Sequence, residues 1–242
     1  MISVCIATYN GEKYIEAQLR SILGQLQAED EVIISDGGSG DGTIACVEAI
    51  GDKRIRLVHL PADTHADEGV WPKINRIRRN FENAMRQARG EIIFFSDQDD
   101  IWQPDKVARV LAAMDEQTVC IVHDARVTDA ALQVTHESVM AMYKPSFSRW
   151  GVLWKSPYMG CCMAVRREVV EQALPVPEGM EYDTWLGCVA RKMGRVRFLR
   201  EPLILYRRHD DVASWTGLEN KNAWSVKIQR RYNILKNCIQ RL

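Results

Sequence analysis

The sequence has no excess of charge, no long apolar run and no apparent leader. Its 32 basic and 32 acidic residues give a net charge of zero, which argues against a nucleic-acid-binding protein. No apolar run approaches the ~20 residues needed to cross a bilayer. The start, MISVCIATYN, lacks a basic region followed by a longer apolar stretch, so no signal peptide is expected. These absences predict a cytoplasmic protein that meets a membrane only peripherally.

Familiar metal and nucleotide motifs are also missing. None of the seven cysteines form a C-x-x-C pair, which argues against a structural zinc site. Their odd number, without a disulfide pattern, fits a reducing compartment. Neither G-x-G-x-x-G after the first strand nor G-x₄-G-K-[ST] occurs, so a dinucleotide site and a P-loop are both unsupported.

The sequence does contain a regular alternation of apolar strands and amphipathic helices. Such alternation predicts an α/β fold with a mostly parallel sheet and helices on both faces. The second half is less regular, residues 60–72 are predicted as a polar loop, and residues 222–242 have a basic, helical pattern. Strands are predicted at 2–7, 31–35, 55–59, 91–96, 119–123, 195–199 and 203–208, helices at 14–26, 43–50, 74–88 and 104–116, and short elements of unassigned type at 161–165, 168–174 and 182–191.

The most informative stretch is EIIFFSDQDDIWQPDK, residues 91–106. A strand that looks buried on both faces ends in Asp97, Asp99 and Asp100. Ligands of open α/β sheets bind outside the carboxyl ends of strands. Carboxylates gathered there repel one another unless a cation lies between them, and oxygen ligands suit Mg²⁺ or Mn²⁺. The alternative is a solvated acidic turn before a helix, which the buried strand makes less favourable.

A glycine-rich turn, DGGSGDGT at residues 36–43, follows the second predicted strand. Its glycines would let the backbone approach a ligand next to Asp36. An ordinary turn in which Asp41 caps the next helix explains the same residues equally well. Taken alone, the turn leaves both interpretations open.

Several stretches occur together in a characteristic order, and with them the chain resembles family 2 glycosyltransferases of the GT-A fold. SDQDDIW resembles the bacterial rhamnosyltransferase-like branch. The resemblance spans residues 2 to about 215 and implies a Rossmann-like, mostly parallel central sheet, an irregular acceptor-side half and a C-terminal helix. The stretches are TYNGEKYI (8–15), ISDGGSGDGT (34–43), RNFENAMRQARGEIIFFSDQDDIWQPDKV (79–107), residues 160–162, EYDTWL (181–186) and YRRH (206–209).

The resemblance assigns four residues to the sugar nucleotide. Thr8 and Tyr9 match positions that flank the nucleobase, with the Tyr9 ring available for stacking. Asp36 matches the first nucleotide-contacting acid. Asp97 is the first acid of the family's Asp-x-Asp pair and is expected near the ribose.

The resemblance also assigns the metal ligands and the catalytic base. Asp99 is the expected direct ligand of Mn²⁺ or Mg²⁺, and His209 matches a histidine that closes over the diphosphate. Asp183 matches the base that takes a proton from the acceptor hydroxyl, a task that contributes roughly 10²–10⁴-fold to rate. Without the resemblance, Asp183 reads as an acid at a helix start and His209 as a packing or surface residue.

One position departs from the family pattern. Related sequences usually read Asp-Asp-Gly-Ser where this chain has Asp36-Gly37-Gly38-Ser39. The second Asp commonly meets a pyrimidine base, so the base of the donor is left undetermined. A non-catalytic sugar-nucleotide-binding relative is one alternative. A haloacid-dehalogenase-like phosphatase is another, although Ile101 stands where that motif generally has Thr or Val.

The sequence therefore predicts a metal-dependent inverting glycosyltransferase. Its donor would be a nucleoside diphosphate sugar, and its acceptor a glycan or a lipid-linked hydroxyl in bacterial surface polysaccharide synthesis. Residues 1–215 form the predicted GT-A domain, divided into a nucleotide-sugar half (1–123) and an acceptor-side half (124–215). Residues 216–242 form a helical tail, whose Lys227–Arg231 run leaves a peripheral membrane contact open. No oligomeric state is indicated.

Overall fold

In the computed structural model of this chain, residues 1–61, 72–148, 150–209 and 224–240 are described, and helices flank one central sheet. The strands are β1 (Ile2–Thr8), β2 (Glu31–Asp36), β3 (Ile55–His59), β4 (Ile92–Ser96), β5 (Ile101–Trp102), β6 (Thr118–Thr128), β7 (Val134–His136), β8 (Met163–Arg166) and β9 (Arg195–Arg207). The α-helices are α1 (Ile15–Leu23), α2 (Thr43–Ala49), α3 (Pro72–Gln87), α4 (Lys106–Ala113), α5 (Val139–Tyr143), α6 (Arg167–Ala173), α7 (Tyr182–Met193) and α8 (Trp224–Ile234).

The first half of the sheet is parallel, in the order β3-β2-β1-β4. Its strands are nearly continuous apolar runs, because helices cover both faces of a parallel sheet. Cys5, Ile33 and Phe94 are fully buried. This half matches the predicted strands and helices closely.

The second half of the sheet is mixed. Strand β8 is antiparallel to both β4 and β6, and so separates them. Strand β6 is parallel to β9, which also pairs with the short antiparallel β5. The predicted α/β class with a flanked central sheet is confirmed, and the antiparallel pairs are a feature that strand order alone did not predict.

Strand β9 is one long strand, whereas two strands separated near Pro202 were predicted. In its register with β6, Leu199 faces His123 and Pro202 faces the next residue, Asp124. Two extra residues of β9 therefore form a bulge. A bulge leaves residues outside the ladder, and so tolerates a proline that has no N–H to donate.

The C-terminal helix packs against the acceptor-side half. The Asn233 side chain donates a hydrogen bond to the Gly179 carbonyl at 2.9 Å, and Ile234 and Cys238 are buried. Residues Leu235–Gln240 continue α8 as a π-helix. The predicted domain boundary at residue 215 lies outside the described residues, as does most of the predicted loop 60–72. Within the described ranges, no helix combines the length and apolarity that a membrane span requires.

Gly90 allows the close approach of β4 to β1. Its N–H donates to the Ser3 hydroxyl at 2.7 Å. A Cβ there would lie 2.6 Å from the Ile2 carbonyl carbon and also against the Ser3 nitrogen. Both are backbone atoms, which cannot move aside as a flexible side chain can.

We therefore expect Gly90→Ala to lower the free energy of unfolding by about 1–3 kcal/mol, the usual cost of overpacking. Gly24→Ala is the matched control, because Gly24 has helical backbone angles and its Cβ would be in ordinary contact. Urea denaturation of both variants measures the difference. Equal stability of the two variants would contradict the role given to Gly90.

Candidate active site

The carboxyl ends of β1, β2 and β4 meet at one edge of the sheet. In the parallel register Thr8 faces Asp36, and Ile6 faces Ser96. The residues that follow these strands must therefore converge. The four positions assigned to the nucleotide by sequence, Thr8, Tyr9, Asp36 and Asp97, all lie at the ends of these three strands.

Gln98 fastens the acidic turn to the end of β1. Its side-chain oxygen accepts hydrogen bonds from the Thr8 hydroxyl at 2.7 Å and the Tyr9 N–H at 2.8 Å, and its amide donates to the Tyr9 carbonyl at 3.1 Å. The Tyr9 ring remains 44% exposed, with the Arg76 guanidinium 4.8 Å from its centroid. The exposed Tyr9 ring is thus held at this edge.

The Asp36 carboxylate organises its own loop. It accepts hydrogen bonds from the N–H groups of Gly38 and Ser39, each at 2.9 Å, and from the Ser39 hydroxyl at 2.5 Å. A carboxylate has about four acceptor sites, so little capacity is left for a ligand. The nucleotide-binding role of Asp36 stays a prediction, whereas its role in shaping the turn is plain from the contacts.

Asn80 occupies the space in front of Gly37. A Cβ on Gly37 would lie 3.1 Å from the Asn80 amide nitrogen, which donates to the Thr8 carbonyl at 3.1 Å. The Gly37 N–H donates to the same carbonyl at 2.8 Å. An aspartate at position 37 would crowd this arrangement, so the departure from the family pattern is matched by its surroundings.

Asp97, Asp100 and Cys161 form a compact acidic cluster. One ligand-type atom from each lies within 4.8 Å of the others. Poor solvation, and then the charge of Asp99, raises the pKa of Asp97 to about 7. Burial and the two neighbouring carboxylates raise the pKa of Asp100 as well. The Asp100 Oδ1 accepts from the Arg207 N–H at 3.1 Å, but its buried Oδ2 has no hydrogen-bond partner among the described residues.

Asp99 faces His209. The His209 Nε2 lies 2.9 Å from the Asp99 Oδ2, and the histidine ring is 4.7 Å from the Tyr14 ring. Pairing of β5 with β9 brings these distant residues together, and the Arg207 side chain donates to the Asp99 carbonyl at 2.8 Å. The two predicted metal ligands are therefore adjacent to each other.

The donor set fits a divalent cation that prefers oxygen. Three carboxylates converge, two have pKa values raised by burial and mutual repulsion, and one buried carboxylate oxygen has no partner within the part of the chain that the structure describes. Burial keeps the pKa of Cys161 well above its usual range, so its thiol stays protonated and is a poor ligand. The carboxylates and His209 remain as candidates, which suits Mn²⁺ or Mg²⁺.

A buried lysine lies behind the acidic cluster. Lys106 is fully buried, donates from Nζ to the Cys161 carbonyl at 2.9 Å, and lies 4.0 Å from the centroid of the Trp102 ring. Burial lowers its pKa to about 8, although Asp100 and Asp97 act in the opposite direction. Sequence analysis missed Lys106, because a lysine after a Pro-Asp turn usually extends into solvent.

Asp183 lies at the first turn of α7, on the other side of Gly160. Its carboxylate accepts from the Gly160 N–H at 3.2 Å and from the Thr184 N–H at 2.6 Å. Burial, and then the charge of Glu181, raises its pKa to about 7. Since Cys161 belongs to the acidic cluster, residues 160–161 connect that cluster to Asp183. A carboxylate with such a pKa is suited to proton transfer near neutral pH.

Glu181 has a different environment, although it is only two residues away. Arg230 of α8 holds it through a forked ion pair, with Nη2–Oε2 at 2.7 Å and Nε bonded to both oxygens at 3.0 and 3.1 Å. The Thr184 hydroxyl also donates to Glu181, at 3.2 Å. Glu181 is thus engaged, and Asp183 is the better candidate base.

The profile of Glycosyl transferase family 2 matches residues 3–68 and 70–174. The chain belongs to this family. The family predicted from the sequence, a family of glycosyltransferases, is thereby confirmed. The roles of Thr8, Tyr9, Asp36, Asp97, Asp99, His209 and Asp183 stay predictions, now with the contacts described above.

Two relatives illustrate the family. The chain is 24% identical over 218 residues to an uncharacterized glycosyltransferase of Nostoc, covering 86% of this chain and 65% of that protein. It is 25% identical over 249 residues to the putative teichuronic acid biosynthesis glycosyltransferase TuaG of Bacillus subtilis, covering 99% of this chain and 81% of the relative.

Two solved structures are similar in fold. S. aureus TarS 1-349 in complex with UDP-GlcNAc has a TM-score of 0.65 at 20% identity, over 88% of this chain and 60% of that one. The mannosyltransferase PcManGT of Pyrobaculum calidifontis, in complex with GDP-Man and Mn²⁺, has a TM-score of 0.60 at 22% identity, over 86% and 56%. The GT-A fold is confirmed, and this chain spans less than two thirds of both structures and of the Nostoc relative.

For this family 2 chain, we expect Arg230→Met to move the acidic limb of the pH–rate profile to higher pH. The positive charge of Arg230 favours ionised Asp183, so its loss raises the pKa of that carboxyl further above about 7. A base must be deprotonated to act, so transfer falls most below neutral pH. Initial rates measured across pH test this expectation.

Two variants serve as controls for Arg230→Met. Arg230→Lys keeps the charge next to Glu181 and should restore most of the profile. Arg231→Met removes an exposed cation from the same helix and should leave the profile unchanged. A profile that does not move in Arg230→Met would show that the ion pair does not influence the base.

Proposed function

We propose that this protein is a metal-dependent inverting glycosyltransferase that moves a sugar from a nucleoside diphosphate to a hydroxyl group. One observation carries the proposal: residues 160–161 link the acidic cluster, to which Cys161 belongs, with the separate, partly buried Asp183, whose pKa is raised to about 7. The first suits a cation and diphosphate, and the second suits an acceptor. In direct displacement the acceptor hydroxyl attacks the anomeric carbon as the nucleoside diphosphate departs, and the configuration of that carbon is inverted.

On the donor side, Asp99 and His209 would hold Mn²⁺ or Mg²⁺, with Asp97 and Asp100 next to them. When bound, such an ion stabilises negative charge on departing phosphate oxygens. Tyr9 offers its exposed ring to the base, and Gln98 fixes that residue against the acidic turn. The mannosyltransferase structure, which holds GDP-Man and Mn²⁺, supports a donor and metal of this class.

On the acceptor side, Asp183 takes the proton of the attacking hydroxyl. The Gly160 and Thr184 N–H groups orient its carboxylate, while Arg230 keeps the neighbouring Glu181 occupied. Partial burial raises the basicity of Asp183 without protonating it fully at neutral pH. These residues orient the hydroxyl and receive its proton.

The acceptor belongs, in this proposal, to bacterial surface polysaccharide synthesis. The similarity to TuaG, a putative teichuronic acid biosynthesis enzyme, supports that context. A glycan or lipid-linked hydroxyl is the acceptor class, and the protein would work in the cytoplasm at the inner face of the membrane. Position 37 is a glycine with Asn80 in front of it, and not the aspartate that commonly meets a pyrimidine base. The chain therefore gives no reason to prefer UDP among donors.

We expect Asp99→Ala to abolish Mn²⁺-dependent binding of nucleoside diphosphates while the fold stays intact. Asp105→Ala is the matched control, because Asp105 is an exposed acid of the same segment and is paired with Arg109. Calorimetric titration of UDP, GDP and dTDP, with and without Mn²⁺, measures the effect. His209→Ala should weaken the same binding but leave nucleoside binding unchanged. Wild-type affinity in Asp99→Ala would show that the metal site is misplaced.

We expect Asp183→Asn to reduce turnover by roughly 10²–10⁴-fold, the usual contribution of a general base. Donor affinity should be nearly unchanged, because Asp183 lies beyond residues 160–161. The donor is first chosen by a thermal-shift screen of nucleoside diphosphate sugars. Glu181→Gln is the control and should lose far less turnover. Turnover retained within a factor of a few in Asp183→Asn would remove it from the mechanism.

A further inference from the structure

Helix α8 presents three large apolar side chains to solvent. Trp224, Ile228 and Tyr232 lie four residues apart, on one helix face, and are 76%, 61% and 54% exposed. The side of the helix that faces the protein carries Arg230 and Asn233, which bond to Glu181 and Gly179, and the buried Ile234. A surface helix normally turns its large apolar side chains toward the core. Large exposed apolar patches mark sites of interaction.

A second segment extends the apolar surface. Trp150 and Trp154 flank the short 3₁₀ helix Gly151–Leu153, which contacts α8, and are 57% and 60% exposed. The Arg231 guanidinium lies 5.7 Å from the centroid of the Trp154 ring, so the two segments adjoin. We call Trp150, Trp154, Trp224, Ile228 and Tyr232 the aromatic face.

The charged side chains of residues 224–240 are all basic. The sequence from 222 to 242 contains no Asp or Glu; Arg230 is paired with Glu181, whereas Arg231 and Lys236 are exposed and Lys227 is half-buried. Lys227 lies 5.9 Å from the centroid of the Trp224 ring, so cations and aromatic rings are interleaved. Trp and Tyr favour membrane–water interfaces, and basic side chains favour anionic headgroups.

We propose that the aromatic face docks on an anionic lipid membrane, with the aromatic rings at headgroup level and Lys227, Arg231 and Lys236 on lipid phosphates. The inference rests on the proposed function, which it extends by naming the membrane surface. Since Arg230 of the same helix holds Glu181, two residues from Asp183, docking of α8 places the acceptor side of the site next to the lipid. A lipid-linked acceptor would then reach Asp183 without leaving the bilayer.

Vesicle sedimentation of the full chain tests the proposal. The wild-type protein should sediment with vesicles of phosphatidylcholine mixed with phosphatidylglycerol, and much less with phosphatidylcholine alone. The triple variant Trp224→Ser, Ile228→Ser, Tyr232→Ser should lose at least about 10-fold in affinity. The double variant Lys227→Glu, Arg231→Glu should lose a similar factor, and high salt should weaken wild-type binding. Leu111→Ser with Val134→Ser, exposed apolar residues of α4 and β7, should bind like wild type.

Binding and catalysis can fail independently. Asp183→Asn should bind vesicles as the wild type does, even if the proposed base is wrong, because the assay needs no turnover. The mass in solution is measured for the wild type and the triple variant. A wild-type dimer that the triple variant converts to a monomer, together with no vesicle binding, would show that the face joins two copies and would overturn the proposal. Equal vesicle binding by the wild type and the triple variant would overturn it as well.

Discussion

Repulsion between carboxylates at a poorly solvated sheet edge is the constraint on which the donor side of the site depends. Asp97, Asp99 and Asp100 follow directly after the end of β4. Burial raises the pKa values of Asp97 and Asp100. Three contacts of the surrounding residues offset the cost of this repulsion. Lys106 lies behind the cluster, the Arg207 N–H bonds to Asp100, and His209 faces Asp99. Lys106 belongs to α4, whereas Arg207 ends β9 and His209 follows it, so the cluster depends on two distant parts of the fold.

The acceptor side uses a different balance of charge. Two carboxylates also lie close together there, but one is neutralised by a forked ion pair and the other is left with a raised pKa. This division gives a single carboxylate the basicity for proton transfer. Because the partner of the ion pair belongs to α8, the C-terminal helix supports the site as well as carrying the aromatic face.

Several predictions made from the sequence depend only on local pattern, and they agree with the structure. Continuous apolar runs such as residues 92–95 identify buried parallel strands, since no exposed strand would carry them. Because the acids directly follow one of these strands, they could be placed at the carboxyl edge of the sheet. The order of the motifs along the chain indicated its family. The break at Pro202 was misleading, because a bulge in the β6–β9 register continues the strand through the proline.

The sequence by itself determined the fold class, the edge at which the acids gather and the identity of the candidate base. Only the tertiary structure decided how those groups are balanced: Lys106 buried instead of solvated, Glu181 engaged by Arg230, and Asn80 in front of Gly37. The physical reason is that strand and helix patterns act over a few residues. The pKa of a buried group depends on charges and solvation set by residues far away in the chain, as Arg230 and Asp183 are.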